Sequence, residues 1–480
     1  MKQATVIIGV IAALAAAWLV PVRCARAAET LLVGAAGEEI LPDHPVMMGG
    51  FASRSRPHEG VRSPLFTRAL YLAHGGKQLL WTVSDLVGIE PEDIPFLERV
   101  LSEATGVPAD CIVISATHTH SSPLSANDCG KKDDDYFDHL FVPRLKQAAL
   151  RAVQSAEPCT MTIAEGRCDL AHDRRNAPVA GDGTAPSADP SRAVADTRVP
   201  AVGFKRPDGS FKAVLLLYAM HPTSWSDQLL GAEWPGAAAE AIRQTFGDRT
   251  EPFVLQGAAG NINSPARKAP PEVMLSWGRA LVDSVADALK NGAPEERIHF
   301  DIASQVIPVE YRRLSAEDVR ATAERFRQSY SDRPDLIEAV FDRWEEKCLK
   351  ALRDDTDHFA EAFVQAIALG KGVFVTTPFE TFSHMNFLLA EKVPFPVYVV
   401  GFTNGSYTYL PDRASFDQGG YETDAFIWTL RFPIRPGALE KLADDLVPLL
   451  RQVGGKQFQP YAQSLPSIHY KERPEDLCTK

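Results

Sequence analysis

Positive charge is scarce in this chain of 480 residues, which has 50 lysines and arginines against 62 aspartates and glutamates and a net charge of −12. Such an acidic protein repels nucleic-acid phosphates and anionic membrane surfaces. Apolar runs long enough to span a bilayer are also missing after the first 27 residues. We therefore expect no nucleic-acid partner, and at most peripheral contact with a membrane.

Several motifs that define common hydrolases are missing as well. The seven cysteines show no C-x-x-C spacing, which argues against a cysteine-based zinc site. The sequence contains no G-x-S-x-G nucleophile elbow, no H-E-x-x-H and no H-x-H-x-D-H. These absences argue against the serine hydrolases and the helix-borne zinc proteases. The chain also lacks an internal repeat.

The N-terminal residues have the pattern of a signal peptide. Lys2 precedes an apolar run from Ala4 to Val20, and Ala25-Arg-Ala27 provides small residues at the cleavage positions. We predict a signal peptide at 1–27 and a secreted or periplasmic protein, although the arginines after the apolar run leave an uncleaved anchor as an alternative. In an oxidising compartment, Cys159 and Cys168 could face each other across two short strands.

Short apolar runs rich in β-branched residues alternate with segments of helical periodicity from residue 28 onward. This pattern predicts an α/β (α+β) domain over 28–480, with a mixed β-sheet core, flanking helices and a zinc site at the strand ends. Ser315-Ala-Glu-Asp318 resembles a capping box, so we expect a charged helical segment over about 315–369. A final strand is expected near Ala425 to Phe432.

One of these runs ends in two histidines. Cys111 to Ser115 reads as a buried strand, and His118 and His120 follow two positions apart. If the chain stays extended there, the two imidazoles point to the same side and form a plausible metal-ligand pair. The pair could equally be two surface histidines, or include one histidine that is hydrogen-bonded in the core.

Further polar residues follow other predicted strands, namely His221, Glu380 and Tyr409. Ligands bind at the carboxyl ends of strands in open α/β sheets, so these side chains could converge with the histidine pair. Each has an ordinary alternative: a core histidine, a charge near a helix N-terminus, or aromatic packing at a sheet edge. Their joint appearance at strand ends favours a metal site.

Two histidine segments, Ser115-Ala-Thr-His-Thr-His-Ser-Ser-Pro123 and Met220-His-Pro-Thr-Ser224, resemble motifs of the neutral ceramidases. The family's serine loop, its P-x-E-T motif and its N-x-Y-x-x-Y segment are similar to Gly260-Asn-Ile-Asn-Ser-Pro265, Pro378-Phe-Glu-Thr381 and Asn404 to Tyr409. Met48-Gly-Gly-Phe-Ala52 and Gly420-Tyr-Glu422 match as well. The resemblance extends from about residue 31 to 450.

The resemblance implies a zinc-dependent amidase that cleaves the N-acyl amide bond of ceramide or a related N-acyl lipid with a zinc-activated water. Its implied zinc ligands are His118, His221, Glu380 and Tyr409. It also implies that His120 lies on the substrate side as a catalytic histidine, with Tyr421 and Arg175 near the scissile amide. Zinc polarises carbonyls, and histidine can pass a proton to the leaving amine.

The sequence departs from the family pattern in three ways. Asn263 precedes Ser264 where the family has a single serine, so either residue could occupy that position. Ser406 replaces the first tyrosine of N-x-Y-x-x-Y, and the chain ends before the immunoglobulin-like domain of the ceramidases could fit. The alternatives are a zinc hydrolase of another amide or ester, such as a cell-envelope or sugar-linked one, and a non-catalytic binding protein.

Overall fold

The structure is a computed structural model that describes residues 30–175 and 195–455. The expected signal peptide, Cys478 and most of the loop expected before Val199 lie outside the described residues. Inside them, the alternation of apolar and helical segments folds as a mixed α/β structure, as the sequence predicts.

The strands, in chain order, are β1 (Leu32–Glu39), β2 (Gly60–Val61), β3 (Phe66–His74), β4 (Lys77–Ser84), β5 (Ile112–Ala116), β6 (Glu157–Pro158), β7 (Thr160–Arg167), β8 (His172–Asp173), β9 (Arg198–Lys205), β10 (Phe211–Tyr218), β11 (Leu229–Leu230), β12 (Glu251–Gln256), β13 (Ile262–Asn263), β14 (Phe300–Glu310), β15 (Phe359–Leu369), β16 (Gly372–Thr376), β17 (Glu380–Thr381), β18 (Val397–Val400) and β19 (Tyr409–Leu410).

The α-helices are α1 (Ile94–Thr105), α2 (Asp134–Tyr136), α3 (Val142–Gln154), α4 (Glu233–Phe246), α5 (Pro271–Asn291), α6 (Ala316–Ser329), α7 (Pro334–Leu336), α8 (Arg343–Asp354), α9 (His384–Lys392), α10 (Arg413–Gln418), α11 (Tyr421–Asp424) and α12 (Ala438–Gly454). The π-helical turns Phe137–Phe141 and Ile337–Asp342 join α2 to α3 and α7 to α8.

Three sheets carry the fold. Their strand orders are β5-β4-β3-β1-β6, β12-β10-β9-β7 and β14-β15-β16-β18. Each sheet ends in a parallel pair, β4 with β5, β10 with β12, and β16 with β18. Parallel neighbours have their carboxyl ends at the same edge of a sheet, so the segments that follow these strands leave each sheet side by side.

The three sheets meet at these carboxyl ends. Isolated bridges join Ser115 at the end of β5 to Thr403 after β18, and Gly257 after β12 to Val400. Beneath them, one apolar cluster takes residues from all three sheets, and Trp81 packs edge-on against Phe374 at 5.9 Å between ring centroids. The shared core fixes the sheets relative to one another, and with them the segments at their carboxyl ends.

Two sequence expectations are wrong. The helical segment ends at Asp354, where Asp355 takes a left-handed conformation with a φ of 55°, and residues 359–369 form β15. β15 pairs with both β14 and β16, so sheet pairing overrides the helical reading of its alanine-rich sequence. Residues 425–432 contain a short 3₁₀ turn at Ala425–Ile427 and no strand.

The disulfide that Cys159 and Cys168 could have formed is absent from the structure. Cys159 and Cys168 lie at opposite ends of the same strand, β7, and an extended chain rises about 3.3 Å per residue. Disulfide-bonded cysteines need Cα atoms within about 7 Å of each other. All five cysteines of the described residues are free thiols. Within the same residues, no helix combines the length and the apolar character that crossing a bilayer requires.

Candidate metal centre

The first two histidines lie in a turn that follows β5. His118 has a φ of 63°, in the left-handed region, so the extended geometry assumed from the sequence is wrong. The turn nevertheless brings the two imidazoles together, with their Nε2 atoms 3.1 Å apart. The His118 ring stacks on Phe402, whose centroid is 3.8 Å away. The backbone turn and this stacking aim both rings at one point.

His221 reaches the same point from a different sheet. It follows β10 and forms a parallel bridge with Asn263 in β13. Its Nε2 atom lies 3.0 Å from that of His118. His118, His120 and His221 form a buried group whose ligand atoms all lie close enough to one another to hold a metal ion. We call them the histidine group.

The opposite ring nitrogens fix the protonation of these imidazoles. The Nδ1 atoms of His118, His120 and His221 lie 2.6, 2.8 and 2.8 Å from the carbonyl oxygens of Val87, Gly50 and Ala259. A carbonyl oxygen can only accept, so each Nδ1 carries the proton and each Nε2 presents a lone pair. Burial lowers the pKa of His221 to about 4 and that of His120 well below its usual value, which favours neutral rings.

Glu380 and Tyr409 complete the cluster from neighbouring positions of β17 and β19. Glu380 Oε2 lies 3.2 Å from His221 Nε2 and 3.5 Å from His118 Nε2, and the Tyr409 hydroxyl is 3.5 Å from His221 Nε2. Glu380 Oε2 is buried and has no hydrogen-bond partner. A carboxylate oxygen therefore faces imidazole lone pairs, an arrangement that is unfavourable unless a cation lies between them.

These donors fit a zinc ion. Zinc binds imidazole nitrogen and carboxylate oxygen at about 2.0–2.2 Å, which puts neighbouring ligand atoms of a tetrahedral site about 3.3 Å apart. The distances of 3.0 to 3.5 Å within the cluster match that spacing. The backbone carbonyls behind the imidazoles orient them, as is usual for metal-ligating histidines. The geometry puts His120 as close to His118 as His221 is, and does not set it apart from the other two.

Two positions beside this cluster have room only for glycine. Gly50 has a φ of 87°, and a Cβ atom there would lie 2.4 Å from His120 Cγ. A Cβ atom on Gly260 would lie 2.3 Å from the carbonyl oxygen of Glu380. Both distances are far shorter than any van der Waals contact, so a side chain at either position would displace a member of the cluster.

The cluster opens into a cavity of about 730 Å³, a size typical of sites for small organic ligands. His120, His221 and Tyr409 face the cavity. Aromatic side chains make one part of its wall, and polar or charged side chains make another. The aromatic members are Phe51, Tyr330, Tyr421 and Trp428, and the polar ones include Arg174, Arg175, Thr223, Asn263, Arg267, Gln418 and Glu422.

Arg174 is a cavity residue that sequence reasoning missed in favour of its neighbour Arg175. Arg174 lies 5.4 Å from the ring centroid of Tyr409, and it donates hydrogen bonds to Glu422 at 2.6 Å and to the Gly260 carbonyl at 2.7 Å. Arg175 also lines the cavity and pairs with Glu422, but it bonds the Gly419 carbonyl at 2.7 Å. Which of the two adjacent arginines reaches Tyr409 depends on how β8 pairs with β13, and the sequence does not show that pairing.

Asn263 and Ser264, the two alternatives at the family's serine position, differ in their access to the cavity. Asn263 lines the cavity, and its Oδ1 atom is 3.4 Å from an Arg174 guanidinium nitrogen. The Ser264 hydroxyl is 2.9 Å from the Ser224 hydroxyl. Of the two, Asn263 is therefore the residue that a ligand in the cavity can reach.

If the cavity hosts hydrolysis by a water nucleophile, Ser264→Ala should keep its turnover within about threefold of the unchanged protein, because Ser264 is not among the residues that line the cavity. Loss of a covalent nucleophile would instead cost on the order of a millionfold in kcat. Asn263→Ala should lose more, because that residue lines the cavity. Steady-state hydrolysis by both variants measures the difference. A Ser264→Ala variant with no turnover and intact folding would show instead that the serine attacks the substrate.

Tyr421 is the first residue of α11 and stands at the cavity wall. Its ring centroid is 5.7 Å from that of Tyr409, and about half of the side chain is exposed. A phenol in this position can donate a hydrogen bond to a ligand that reaches the histidine group. The structure thus brings Tyr421 to the same site as Tyr409, although eleven residues separate them in the sequence.

The fold and the site together define a mixed α/β protein with a buried group able to hold a metal ion at the end of a ligand-sized cavity. The structure is similar to that of the neutral ceramidase from Pseudomonas aeruginosa, with a TM-score of 0.66 and 14% identity over 92% of this chain and 77% of that one. It is also similar to a ceramidase complexed with C2, with a TM-score of 0.63 and 14% identity over 92% and 78%.

No family model matches the sequence, and no curated protein matches it either. The chain therefore has a ceramidase-like fold at a sequence identity too low to transfer an activity.

Proposed function

We propose that this protein is a zinc-dependent amidohydrolase that cleaves the N-acyl amide bond of ceramide or a related amphipathic N-acyl lipid. The observation that carries the proposal is the cluster of imidazole lone pairs around the orphaned Glu380 oxygen, at the end of a cavity. Sites with this donor set and an open side are typical of hydrolytic zinc. The N-terminal pattern of residues 1–27 supports a secreted or periplasmic location.

The proposed zinc ligands are His118, His221, Glu380 and Tyr409. Bound there, zinc would polarise the substrate carbonyl and lower the pKa of a water molecule. The fold supports this set, because four separate segments deliver the four side chains to one point and the backbone carbonyls of Val87 and Ala259 hold both imidazoles in the ligating tautomer.

The remaining residues carry the proton and the developing charge. His120 has an Nε2 lone pair that faces the cluster, and in this proposal it takes the proton of the attacking water and gives it to the leaving amine. The Tyr421 hydroxyl donates a hydrogen bond to the carbonyl oxygen as negative charge develops there. Arg174 and Arg175, both tied to Glu422, hold the polar wall beside the amide.

The cavity supports an amphipathic substrate. Its aromatic wall, where Tyr330 and Trp428 pack edge-on at 5.5 Å between centroids, suits an acyl chain, and its polar wall suits a hydroxylated or charged amine. Cavities of this size enclose a drug-sized molecule. A ceramide would therefore place its amide and the adjoining atoms inside, with the ends of its chains extending out.

The deciding experiment incubates the zinc-loaded protein with ceramide labelled in its acyl chain, and His221→Ala serves as the matched control. Release of labelled fatty acid by the first protein and not by the second supports a ceramidase. If the protein binds one equivalent of zinc but hydrolyses neither ceramide nor shorter N-acyl amides or esters, it is a binding protein on this fold.

The second candidate is a zinc hydrolase of a smaller amide or ester. The observation in its favour is the polar wall, where three arginines stand against one glutamate in an otherwise acidic protein. Such a wall attracts substrates with an acidic group. A panel of N-acyl amino acids tested beside ceramide separates the two candidates by their kcat/KM values.

A further inference from the structure

One buried arginine stands directly behind the catalytic histidine. Arg54 is 3% exposed, and its guanidinium group donates four hydrogen bonds, all of them to backbone carbonyl oxygens. No carboxylate of the described residues forms a salt bridge with Arg54, although those of Glu233, Asp227 and Asp128 raise its pKa from farther away. Burying a charged guanidinium without such a partner is costly, so its four carbonyl contacts need an explanation.

Two of these contacts hold the backbone of His120 and the backbone of the loop beside its ring. One Nη1 atom donates to the carbonyl oxygen of His120 itself and, at 2.6 Å, to that of Gly49. The next carbonyl along the chain, Gly50, accepts the Nδ1 proton of His120 at 2.8 Å. Arg54 therefore holds the backbone of the histidine and the backbone of the loop that fixes its tautomer with the same nitrogen.

The ring of His120 is held through a third contact. The Arg54 guanidinium lies 4.9 Å from the ring centroid of Phe51, and Phe51 packs edge-on against the His120 ring at 5.1 Å. The other two guanidinium nitrogens bind the 225–227 loop. Nε donates to the Asp227 carbonyl at 2.9 Å, and Nη2 donates to the Trp225 carbonyl at 3.2 Å.

We propose that Arg54 is the positioning residue for His120, which it keeps with Nε2 aimed into the histidine group by joining the 49–51 loop, His120 and the 225–227 loop. The proposal rests on the function proposed above for His120. Residues that orient the groups around a catalytic metal typically cost about 10- to 100-fold in activity when they are removed. Arg54 acts through His120 and touches no substrate.

The test compares Arg54→Met with Arg62→Met in the zinc-loaded protein. Arg62 is the matched control, because it pairs with the Asp227 carboxylate and stacks on Trp225 at 4.5 Å, in the same 225–227 loop. We expect Arg54→Met to lower kcat about 10- to 100-fold with KM changed less than about threefold, since the substrate walls are intact. Millimolar guanidinium should restore part of the loss, and Arg62→Met should resemble the unchanged protein.

Hydrogen exchange supplies a readout that needs no substrate. Arg54→Met should speed amide exchange in peptides covering 48–52 and 118–122, and Arg62→Met should not, because local opening follows the loss of local contacts. A kcat within about twofold of the unchanged protein, an equal loss in both variants, or unchanged exchange in these peptides would each overturn the proposal.

A third variant guards against misfolding. Arg54→Lys keeps the charge but reaches fewer of the four carbonyls, so it should fold and show an intermediate loss of kcat. If the unchanged protein hydrolyses no amide, the function proposed above fails, and the exchange comparison still decides the role of Arg54.

Discussion

His221→Ala will bind no zinc and will have no hydrolytic activity above background. His221 is fully buried, and it is the member of the cluster that lies next to His118, Glu380 and Tyr409 at once. Changes behind a metal ligand already cost about 10- to 100-fold in metal affinity, and loss of the ligand itself costs more. Elemental analysis after gel filtration measures the zinc, and fatty acid release measures the activity.

The same variant should lose the stabilisation that zinc gives. A ligand at 100 times its Kd stabilises the folded state by about 2.7 kcal/mol, so the melting temperature of the unchanged protein should rise with zinc. That of His221→Ala should not. His384→Ala is the control, because His384 is another buried histidine, at the start of α9. If His221→Ala binds a full equivalent of zinc, the metal assignment is wrong.

The second large effect is expected at His120, where activity and metal binding should separate. If His120 handles the proton, His120→Ala keeps its zinc and loses about 10²- to 10⁴-fold in kcat, the range that general acid–base groups contribute. His118→Ala, two positions away, should lose the zinc itself. Measuring zinc content and kcat on the same preparations compares the two histidines directly.

The structure makes this comparison informative because His120 is so close to His118. Their Nε2 atoms are 3.1 Å apart, a distance that also fits two ligands of one ion. Loss of zinc from His120→Ala would therefore make His120 a metal ligand and assign the proton to another group. A variant with zinc and full kcat would remove His120 from the reaction altogether.

Much of the fold follows from local pattern. The hairpin of β3 and β4 turns at two adjacent glycines, Gly75 and Gly76, and α1 ends at Gly106 in a left-handed conformation. The capping box of Ser315 and Asp318 forms as expected. These features depend on neighbours in the sequence, so the residues themselves predict them.

Other features depend on partners far along the chain. The helical prediction for 359–369 is wrong because β14 and β16 pair with that segment on both sides. Cys159 and Cys168 could have faced each other across two short strands, but a single strand, β7, lies between them. The choice between Arg174 and Arg175 likewise depends on how β8 pairs with β13. Pairing partners outweigh local propensity, and single-sequence patterns carry no information about them.

The sequence by itself pointed to five side chains of the site, because each lies near the end of a predicted strand and in a motif that resembles the neutral ceramidases: His118, His120, His221, Glu380 and Tyr409. Only the tertiary structure decided how they meet. The left-handed turn at His118, the glycine at position 50 and the carbonyls behind each imidazole set the direction of the lone pairs. The carbonyl contacts join residues 31 to 70 positions apart, and His118 meets His221 across 103 positions. The site therefore exists only once the three sheets have packed on one core.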